Sequence, residues 1–163
     1  GKRAVHMYKF ESLDIVSSTI VNVIAMKAWQ AMVEEVKTTI KPGLVDRFSN
    51  GAHTDMDLEL FEKSADALKP YFRQMAIQGL CDAYTYEDLF RRIRSIGIDA
   101  EKAMYRATNN VNTHKGLIFS LGIYCAAAAR CLTEYGKINE YTLQIVQKMM
   151  TTRIHYYCAI IGT

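Results

Sequence analysis

Apolar residues recur every three or four positions along most of this chain, which is the spacing of one face of an α-helix. The pattern predicts five helices, running from about Ile15 to Lys37, Asp57 to Gln78, Thr85 to Thr108, Leu117 to Tyr135 and Asn139 to the end of the chain. No segment alternates apolar and polar residues as a half-buried strand does. The predicted fold class is therefore all-α, a bundle of about five helices with two long polar loops.

Particular residues indicate where these helices begin, bend or end. Thr85 and Asp88 have the spacing of a capping pair for the third helix, and Gly136 suits the end of the fourth. Pro70 is expected to kink the second helix or to split it in two. One side of the fifth helix is predicted to carry Leu143, Val146, Met150, Ile154, Tyr157 and Ile161. Because nothing later in the chain covers its apolar end, more protein or a partner subunit is expected to pack there.

The first polar loop is predicted between Lys41 and Asp57. It follows three β-branched residues and contains Pro42, which disfavours helical backbone at the preceding residue. Ionisable side chains are frequent in this segment. A loop of this length and character inside a helical protein is usually functional or disordered, and its few apolar residues indicate that it is held in place.

The second polar loop leads directly into the most apolar segment of the chain, from Asn109 to Gly122. Its asparagines favour turns and caps, whereas the residues from Leu117 to Ala129 are long and apolar enough for a helix buried on all sides. The start of that helix directs backbone N–H groups and a partial positive charge towards Thr113, His114 and Lys115. This arrangement predicts a site for a phosphate or a carboxylate.

Composition and charge fit an ordinary globular protein. Half of the 163 residues are hydrophobic, and 20 basic residues against 17 acidic ones give a net charge of only +3, too weak to indicate nucleic acid. Cys81, Cys125, Cys131 and Cys158 have no Cys-x-x-Cys spacing, which is typical of reduced core residues in a cytosolic protein. No signal peptide or membrane-length apolar run is visible, so a cytoplasmic location without membrane contact is expected.

Three short motifs, in order along the chain, resemble one family. The first is Lys-Pro-Gly-Leu-Val-Asp from Lys41 to Asp46, and the second is Gly-Ala-His-Thr-Asp-Met from Gly51 to Met56. The third is Val-Asn-Thr-His-Lys-Gly from Val111 to Gly116, followed by Ile-Phe-Ser-Leu-Gly from Ile118 to Gly122. Together they are similar to the triphosphoribosyl-dephospho-coenzyme A synthases, which make the precursor of the citrate lyase prosthetic group; a close relative serves malonate decarboxylase.

The resemblance covers roughly Trp29 to Arg130 and only the first half of the family's pattern. It implies that residues 1–14 are an N-terminal tail or linker, and that residues 15–163 form the N-terminal half of a larger all-α catalytic domain. A missing C-terminal half or a second subunit is then an expected partner. Three departures stand out: the family usually has proline at Ile40, lysine at Thr54 and glycine at Asn110. Of these Asn110 is the mildest, because asparagine tolerates a positive φ better than other non-glycine residues.

The resemblance implies transfer of the triphosphoribosyl group of ATP to 3′-dephospho-coenzyme A, with release of adenine. The candidate catalytic residues are Asp46, Glu101 and His114, with either Asp46 or Glu101 as the base. The positive charges expected to hold the triphosphate come from Lys41, His114, Lys115 and the start of the fourth helix. The candidate nucleotide-binding residues are Lys41, Gly43, His53, Asn112, Thr113, Lys115 and Gly116. A Mg²⁺ ion is expected with the triphosphate. Its expected ligands are Asp55 and Asp57, and Asp46 is a further candidate. Zinc is not expected, because the histidines and cysteines lack a zinc-ligand spacing.

Each assignment has a structural alternative. Asp57 could be the N-cap of the second helix, and Asn112 and Thr113 could cap the fourth. His53 and His114 could be structural histidines that bond the loop backbone. Without the family pattern, Glu101 would be read as a surface residue of a helix.

Two other functions remain open at this point. The chain could be a non-catalytic nucleotide-binding fragment or interaction module. It could also belong to a related enzyme that uses a different nucleotide or acceptor, since Thr54 replaces a lysine that could bind phosphate.

Overall fold

A computed structural model describes residues 13–39 and 51–162. It contains five helices in these ranges: α1 (Ile15–Thr39), α2 (Gly51–Gly79), α3 (Tyr86–Ala107), α4 (Lys115–Tyr135) and α5 (Tyr141–Ile161). No strand occurs in the described ranges, so the all-α prediction is confirmed. Residues 1–12 and 40–50, which hold most of the predicted N-terminal tail and the first motif, lie outside the described residues.

α1 and α2 pack in antiparallel directions. The indole N–H of Trp29 donates to Asp66 at 2.7 Å, and Nε of Arg73 donates to the amide oxygen of Asn22, also at 2.7 Å. Earlier residues of α1 therefore meet later residues of α2. Apolar residues from both helices, including Met32, Leu68 and Phe72, are almost completely buried between them.

α2 and α4 run in the same direction and are in close contact along their length. At one end, the carbonyl oxygen of Phe61 lies 3.3 Å from Nε2 of His114. At the other end, a Cβ added to Gly79 would lie 2.1 Å from the carbonyl oxygen of Ala126, so only glycine allows this approach. The two helices therefore begin at the same end of the bundle.

α3 is antiparallel to α4 and covers another of its sides. The predicted capping pair is confirmed, because Thr85 Oγ1 accepts the N–H of Asp88 at 3.1 Å and the Asp88 carboxylate accepts the N–H of Thr85 at 3.4 Å. At the opposite end of α3, Glu101 pairs with Lys115 at the start of α4. Gly136, with φ of 75°, ends α4 as predicted.

The second helix differs from its prediction in two ways. It begins at Gly51 and not at Asp57, so residues 51–57, which include the second motif, are helical and not part of a loop. Asp57 is consequently not its N-cap. Pro70 lies inside one continuous helix, which rules out the predicted split. A helix tolerates an internal proline when packing along the rest of its length offsets the lost hydrogen bond.

Two predicted apolar surfaces were also partly wrong. The buried side of α5 consists of Ile145, Val146 and Met149, whereas Leu143 is 56% exposed. α4 is not buried on all sides, because Tyr124 is 45% exposed. α4 is long and apolar enough to cross a membrane by length and composition, but half of that segment is buried against the other helices. A core helix of a soluble protein passes the same test, so this observation is weak evidence for a membrane span.

Three of the four cysteines lie in the core, as predicted, and no disulfide joins any of the four within the described residues. Cys81, Cys125 and Cys131 are buried, and burial raises the pKa of the Cys125 thiol to about 12. Cys158 is exposed near the end of α5. The three buried cysteines thus act as small core residues.

Candidate functional site

The turn between α3 and α4 is shaped by two consecutive asparagines in the left-handed region. Asn109 has φ of 52° and Asn110 has φ of 70°. The N–H of Asn110 donates to the carbonyl of Tyr105 at 2.8 Å, and the hydroxyl of Thr108 donates to the carbonyls of Met104 and Val111. The expectation that position 110 requires a positive φ is confirmed. Asparagine is a natural substitute for glycine at such a position.

Asn112 lies just before α4, whose first turn begins with Lys115 and Gly116 of the third motif. The N-cap residue is His114, which makes no side-chain capping bond, but the side-chain oxygen of Asn112 accepts the N–H of Lys115 at 3.2 Å. Asn112 thus satisfies the first backbone N–H of the helix, in line with its expected capping role. A Cβ added to Gly116 would meet no atom within 4 Å, and the residue is exposed. Among the described residues, nothing fills the space above this first turn.

His114 lies beneath that open surface and is only 3% exposed. Its Nε2 is 3.3 Å from the carbonyl oxygen of Phe61, and since a carbonyl only accepts, Nε2 carries the hydrogen. The two rings meet edge to face at 5.6 Å, and the backbone N–H of His114 points at the sulfur of Met104. Burial lowers the pKa of His114, an effect that the Phe61 hydrogen bond and the charge of Glu35 oppose. This histidine is therefore neutral at pH 7 and ties the loop to α2.

Thr113 provides a second link to α2. Its hydroxyl lies 2.5 Å from the hydroxyl of Ser64, which is completely buried. Ser64 and Phe61 were not identified as site residues from the sequence. Ser64 offered one signal, because it is a polar residue on the apolar stripe that also carries Phe61 and Leu68.

Glu101 and Lys115 are brought together from different helices. The ammonium nitrogen of Lys115 lies 3.3 Å from a carboxylate oxygen of Glu101, and their side chains are 55% and 21% exposed respectively. Exposed pairs of this kind contribute little to stability, on the order of 0 to 1 kcal/mol. The structure thus places one predicted base beside one predicted phosphate ligand, at the edge of the open surface over Gly116.

The remaining predicted site residues belong to the first two motifs, except Asp57, which directly follows the second. Lys41, Gly43 and Asp46 lie outside the described residues. His53, Asp55 and Asp57 stand on the first two turns of α2, and their side chains lie outside the described part. Asp57 precedes Phe61 by four residues, about 6 Å along the helix. Because Phe61 contacts His114, the start of α2 reaches the same end of the bundle as the third motif.

His, Cys, Asp and Glu, the usual metal ligands, all occur in the part of the chain with described side chains. No group of three His, Cys, Asp or Glu residues there could hold a metal ion. The side chains of Asp46, Asp55 and Asp57, the predicted Mg²⁺ ligands, are not among those described. The described residues alone therefore do not form a metal site.

These features define the class: an all-α protein that gathers polar side chains at the start of a central helix. The chain belongs to the CitG family of ATP:dephospho-CoA triphosphoribosyl transferases, whose model matches residues 22–163. This match extends beyond both ends of the resemblance noted from the motifs. No solved structure matches the chain significantly.

Curated relatives carry corresponding names. The 2-(5''-triphosphoribosyl)-3'-dephosphocoenzyme-A synthase of Haemophilus ducreyi is 47% identical over 108 residues, 66% of this chain and 33% of that protein. Protein CitXG of Haemophilus influenzae is 45% identical over 118 residues, 72% of this chain and 25% of that protein. A probable synthase of the same name from Citrobacter koseri is 42% identical over 125 residues, 76% of this chain and 41% of that protein. The matched region thus spans between a quarter and two fifths of these relatives.

Proposed function

We propose that the whole protein containing this chain transfers the triphosphoribosyl group of ATP to 3′-dephospho-coenzyme A and releases adenine. The observation that carries the proposal is the family match over residues 22–163, together with relatives named as this synthase. The position of the third motif supports it, because Lys115 and Gly116 form an open surface at a helix N-terminus. Such a surface suits an anionic group.

The triphosphate is assigned to this surface. Lys115 supplies a positive charge, and Gly116 allows phosphate oxygens to approach the backbone N–H groups of the first turn. Lys41, Gly43 and His53 of the first two motifs are assigned to the same anion. His114 is neutral, so its assigned role is to position the loop against Phe61.

Binding of the triphosphate also changes the surroundings of Glu101. In the structure this carboxylate is paired with Lys115. A triphosphate competes for the same ammonium group, so nucleotide binding releases Glu101 to accept a proton. Glu101 and Asp46 are the two candidate bases, and the variants Glu101→Gln and Asp46→Asn separate them by their effects on kcat.

The proposed reaction replaces one bond to the anomeric carbon with another. The bond between C1′ of ATP and N9 of adenine breaks, and its electron pair leaves with adenine. A ribose hydroxyl oxygen of dephospho-coenzyme A forms the new bond to C1′, its proton goes to the base, and adenine takes up a proton. As in glycoside chemistry generally, positive charge develops at C1′ in an oxocarbenium-like transition state. If Asp46 is the base, Glu101 stays ionised and its carboxylate stabilises that charge.

ATP is assigned as a substrate in its Mg²⁺ complex, with Asp55 and Asp57 as the proposed protein ligands. Magnesium is commonly held by one or two carboxylates together with substrate phosphates. Titration of the protein with Mn²⁺, followed by electron paramagnetic resonance with and without ATP, tests this part. Binding that requires ATP and weakens in Asp55→Asn or Asp57→Asn supports it, and binding unaffected by both variants contradicts it.

A second candidate is a nucleotide-binding module without turnover of its own. It is favoured by apolar surface that the described helices leave open: Ile160 and Ile161 at the end of α5 are 63% and 74% exposed. We propose that this end is covered either by a further segment, of the kind that the longer relatives have, or by a second subunit. We also propose that the protein is cytoplasmic. Analytical ultracentrifugation of the intact gene product, with activity measured on the same sample, distinguishes these arrangements.

The transferase proposal is tested by incubating the intact gene product with ATP and dephospho-coenzyme A. Adenine should appear only when both substrates are present, and a product with the mass of dephospho-coenzyme A plus triphosphoribose should accumulate in equal amount. Adenine release without that product would indicate a different acceptor. Absence of adenine release would contradict the transferase proposal and would favour the nucleotide-binding module without turnover.

A further inference from the structure

A small cleft between α3 and α4 starts at the Glu101–Lys115 pair. Its volume is about 210 Å³, and its walls are Arg94, Ile98 and Glu101 from α3 with Phe119 and Ile123 from α4. Arg94, Ile98 and Glu101 follow one another at helical spacing, as do Lys115, Phe119 and Ile123. Sites for drug-sized ligands usually measure roughly 300 to 1,000 Å³, so this cleft fits one ring system.

The shape of the cleft depends on a glycine in the middle of α3. A Cβ added to Gly97 would lie 2.5 Å from Cε1 of Phe119 and 3.0 Å from two other ring atoms. The absence of a side chain therefore allows the Phe119 ring to lie directly on α3. Glycine inside a helix lowers its stability relative to alanine. At this position the lower helix stability accompanies the close packing of an aromatic ring.

The chemistry of the cleft is that of a flat ring with polar edges. Phe119 and Ile98 offer apolar contact, and Ile98 is 38% exposed at the mouth. Arg94 provides hydrogen-bond donors and Glu101 provides acceptors, which complement the ring nitrogens and the amino group of adenine. Aromatic side chains are common stacking partners of nucleobases.

The order of groups along the cleft also matches a nucleotide. Phe119 and Ile123 lie about 6 and 12 Å along α4 from Lys115. A triphosphate at Lys115 therefore places a ribose near Glu101 and a base against Phe119 and Arg94. The larger groove between α1 and α4, about 550 Å³ and lined by Val23, Tyr124 and Ile138, has almost no polar atoms with which to recognise a base.

We propose that the α3–α4 cleft binds the adenine ring of ATP, with Phe119 against its face and Arg94 at its edge. This inference rests on the proposed function, because it takes the triphosphate to lie at Lys115. It places the glycosidic bond of ATP beside Glu101. Arg94 then acts as a hydrogen-bond donor to the ring nitrogens that gain electron density as adenine leaves.

The test measures ligand affinity with the intact gene product by isothermal titration calorimetry. The ligands are ATP, inorganic triphosphate and dephospho-coenzyme A, each alone. Phe119→Leu removes the aromatic face but keeps an apolar side chain, and Arg94→Gln alters a partly exposed position if the first variant does not fold. Tyr124→Leu is the matched control, since it removes an aromatic ring from the opposite side of α4.

Phe119→Leu and Arg94→Gln should each raise the Kd for ATP about tenfold or more. The first variant removes a stacking face, and the second removes a charged hydrogen-bond donor. The Kd values for triphosphate and dephospho-coenzyme A should stay within about twofold of the parent protein, as should every Kd of Tyr124→Leu. An unchanged Kd for ATP in both cleft variants overturns the proposal. A selective loss of dephospho-coenzyme A affinity also overturns it, since its adenine would then occupy the cleft.

Measurement of adenine release by the parent protein distinguishes failure of the adenine-cleft proposal from failure of the transferase proposal. If the parent protein forms product but the cleft variants bind ATP normally, the adenine assignment fails while the transferase stands. If the parent protein forms no product but Phe119→Leu selectively weakens ATP binding, the cleft assignment stands while the transferase fails.

Discussion

Asn110 shows how one backbone angle explains a departure from the family pattern. The family usually has glycine here, and the residue has φ of 70°. Asn110→Ala should lower the free energy of unfolding by about 1 kcal/mol, because alanine lacks the side-chain compensation that asparagine has in this region. Asn110→Gly should change it by less than about 0.5 kcal/mol in either direction. Urea denaturation of both variants checks this, and equal effects would contradict the explanation.

His114 gives the protein a stability that depends on pH. Burial lowers its pKa in the folded state, so the unfolded chain binds a proton more readily. The stability from the neutral ring is fully present above the unfolded pKa of about 6.5, and it is lost progressively as the pH falls from that value through the lower pKa of the folded state. The Tm should therefore drop more between pH 7.5 and pH 5.5 in the parent protein than in His114→Gln, as measured by circular dichroism. An identical pH dependence in the two proteins would contradict this.

At this scale the sequence predicted backbone angles better than burial. The positive φ at position 110 followed from the chemistry of asparagine and glycine, which is local. The burial of His114 did not, because it is produced by Phe61, 53 positions away, and by Met104 of α3. A histidine in a polar segment gives no sign of which distant side chains will cover it.

α3 is the element whose start was predicted most accurately. Both hydrogen bonds of its capping box form between Thr85 and Asp88. Thr85→Ala should lower the free energy of unfolding by about 1 kcal/mol, since one backbone N–H loses its partner. Ser95→Ala, an exposed change in the middle of the same helix, should be neutral or slightly stabilising. Thermal unfolding of the two variants makes the comparison, and a smaller loss for Thr85→Ala than for Ser95→Ala would refute it.

Substitution of Gly116 in α4 should have opposite effects on stability and on ATP binding. No atom of the described residues lies within 4 Å of the position of its missing side chain, and the residue is helical. Gly116→Ala should therefore raise the free energy of unfolding by about 0.4 to 1 kcal/mol. It should also weaken ATP binding, because a methyl group would occupy the space assigned to the triphosphate.

Gly136→Ala is the contrasting control for this variant. Gly136 has φ of 75° at the end of α4, so alanine there should destabilise the protein and leave the Kd for ATP unchanged. Chemical denaturation and calorimetric ATP binding provide the two readouts. A Gly116→Ala protein that is more stable and binds ATP normally would show that the open space is not used.

The limits of prediction for the helices were set by packing. All five helices were predicted, since each carries a local apolar repeat, but the buried side of α5 was not. Ile145, Val146 and Met149 face the bundle while Leu143 faces outwards, because α5 contacts its neighbours on one side only. Apolar residues exceed what that side can hold, so hydropathy alone could not select the buried stripe.

For the whole molecule, the parallel pairing of α2 and α4 is the decisive feature. It brings the start of α2, which carries the second motif, towards the loop that carries the third. Sequence order separates these motifs by more than 50 positions, and no spacing rule indicates that they meet. The contacts of Ser64 with Thr113 and of Phe61 with His114 establish the arrangement.

The most direct test of this account is the rate of adenine release by the intact gene product at varied ATP concentration, for the parent protein, Lys115→Ala and Lys137→Ala. Lys137 is an exposed lysine beyond the end of α4, which makes it a matched control for charge. Lys115→Ala should lower kcat/KM for ATP by about tenfold or more, since a charged contact is worth about 1.5 to 3 kcal/mol. Lys137→Ala should match the parent protein. Equal kcat/KM values for the two lysine variants would contradict a triphosphate site at the start of α4.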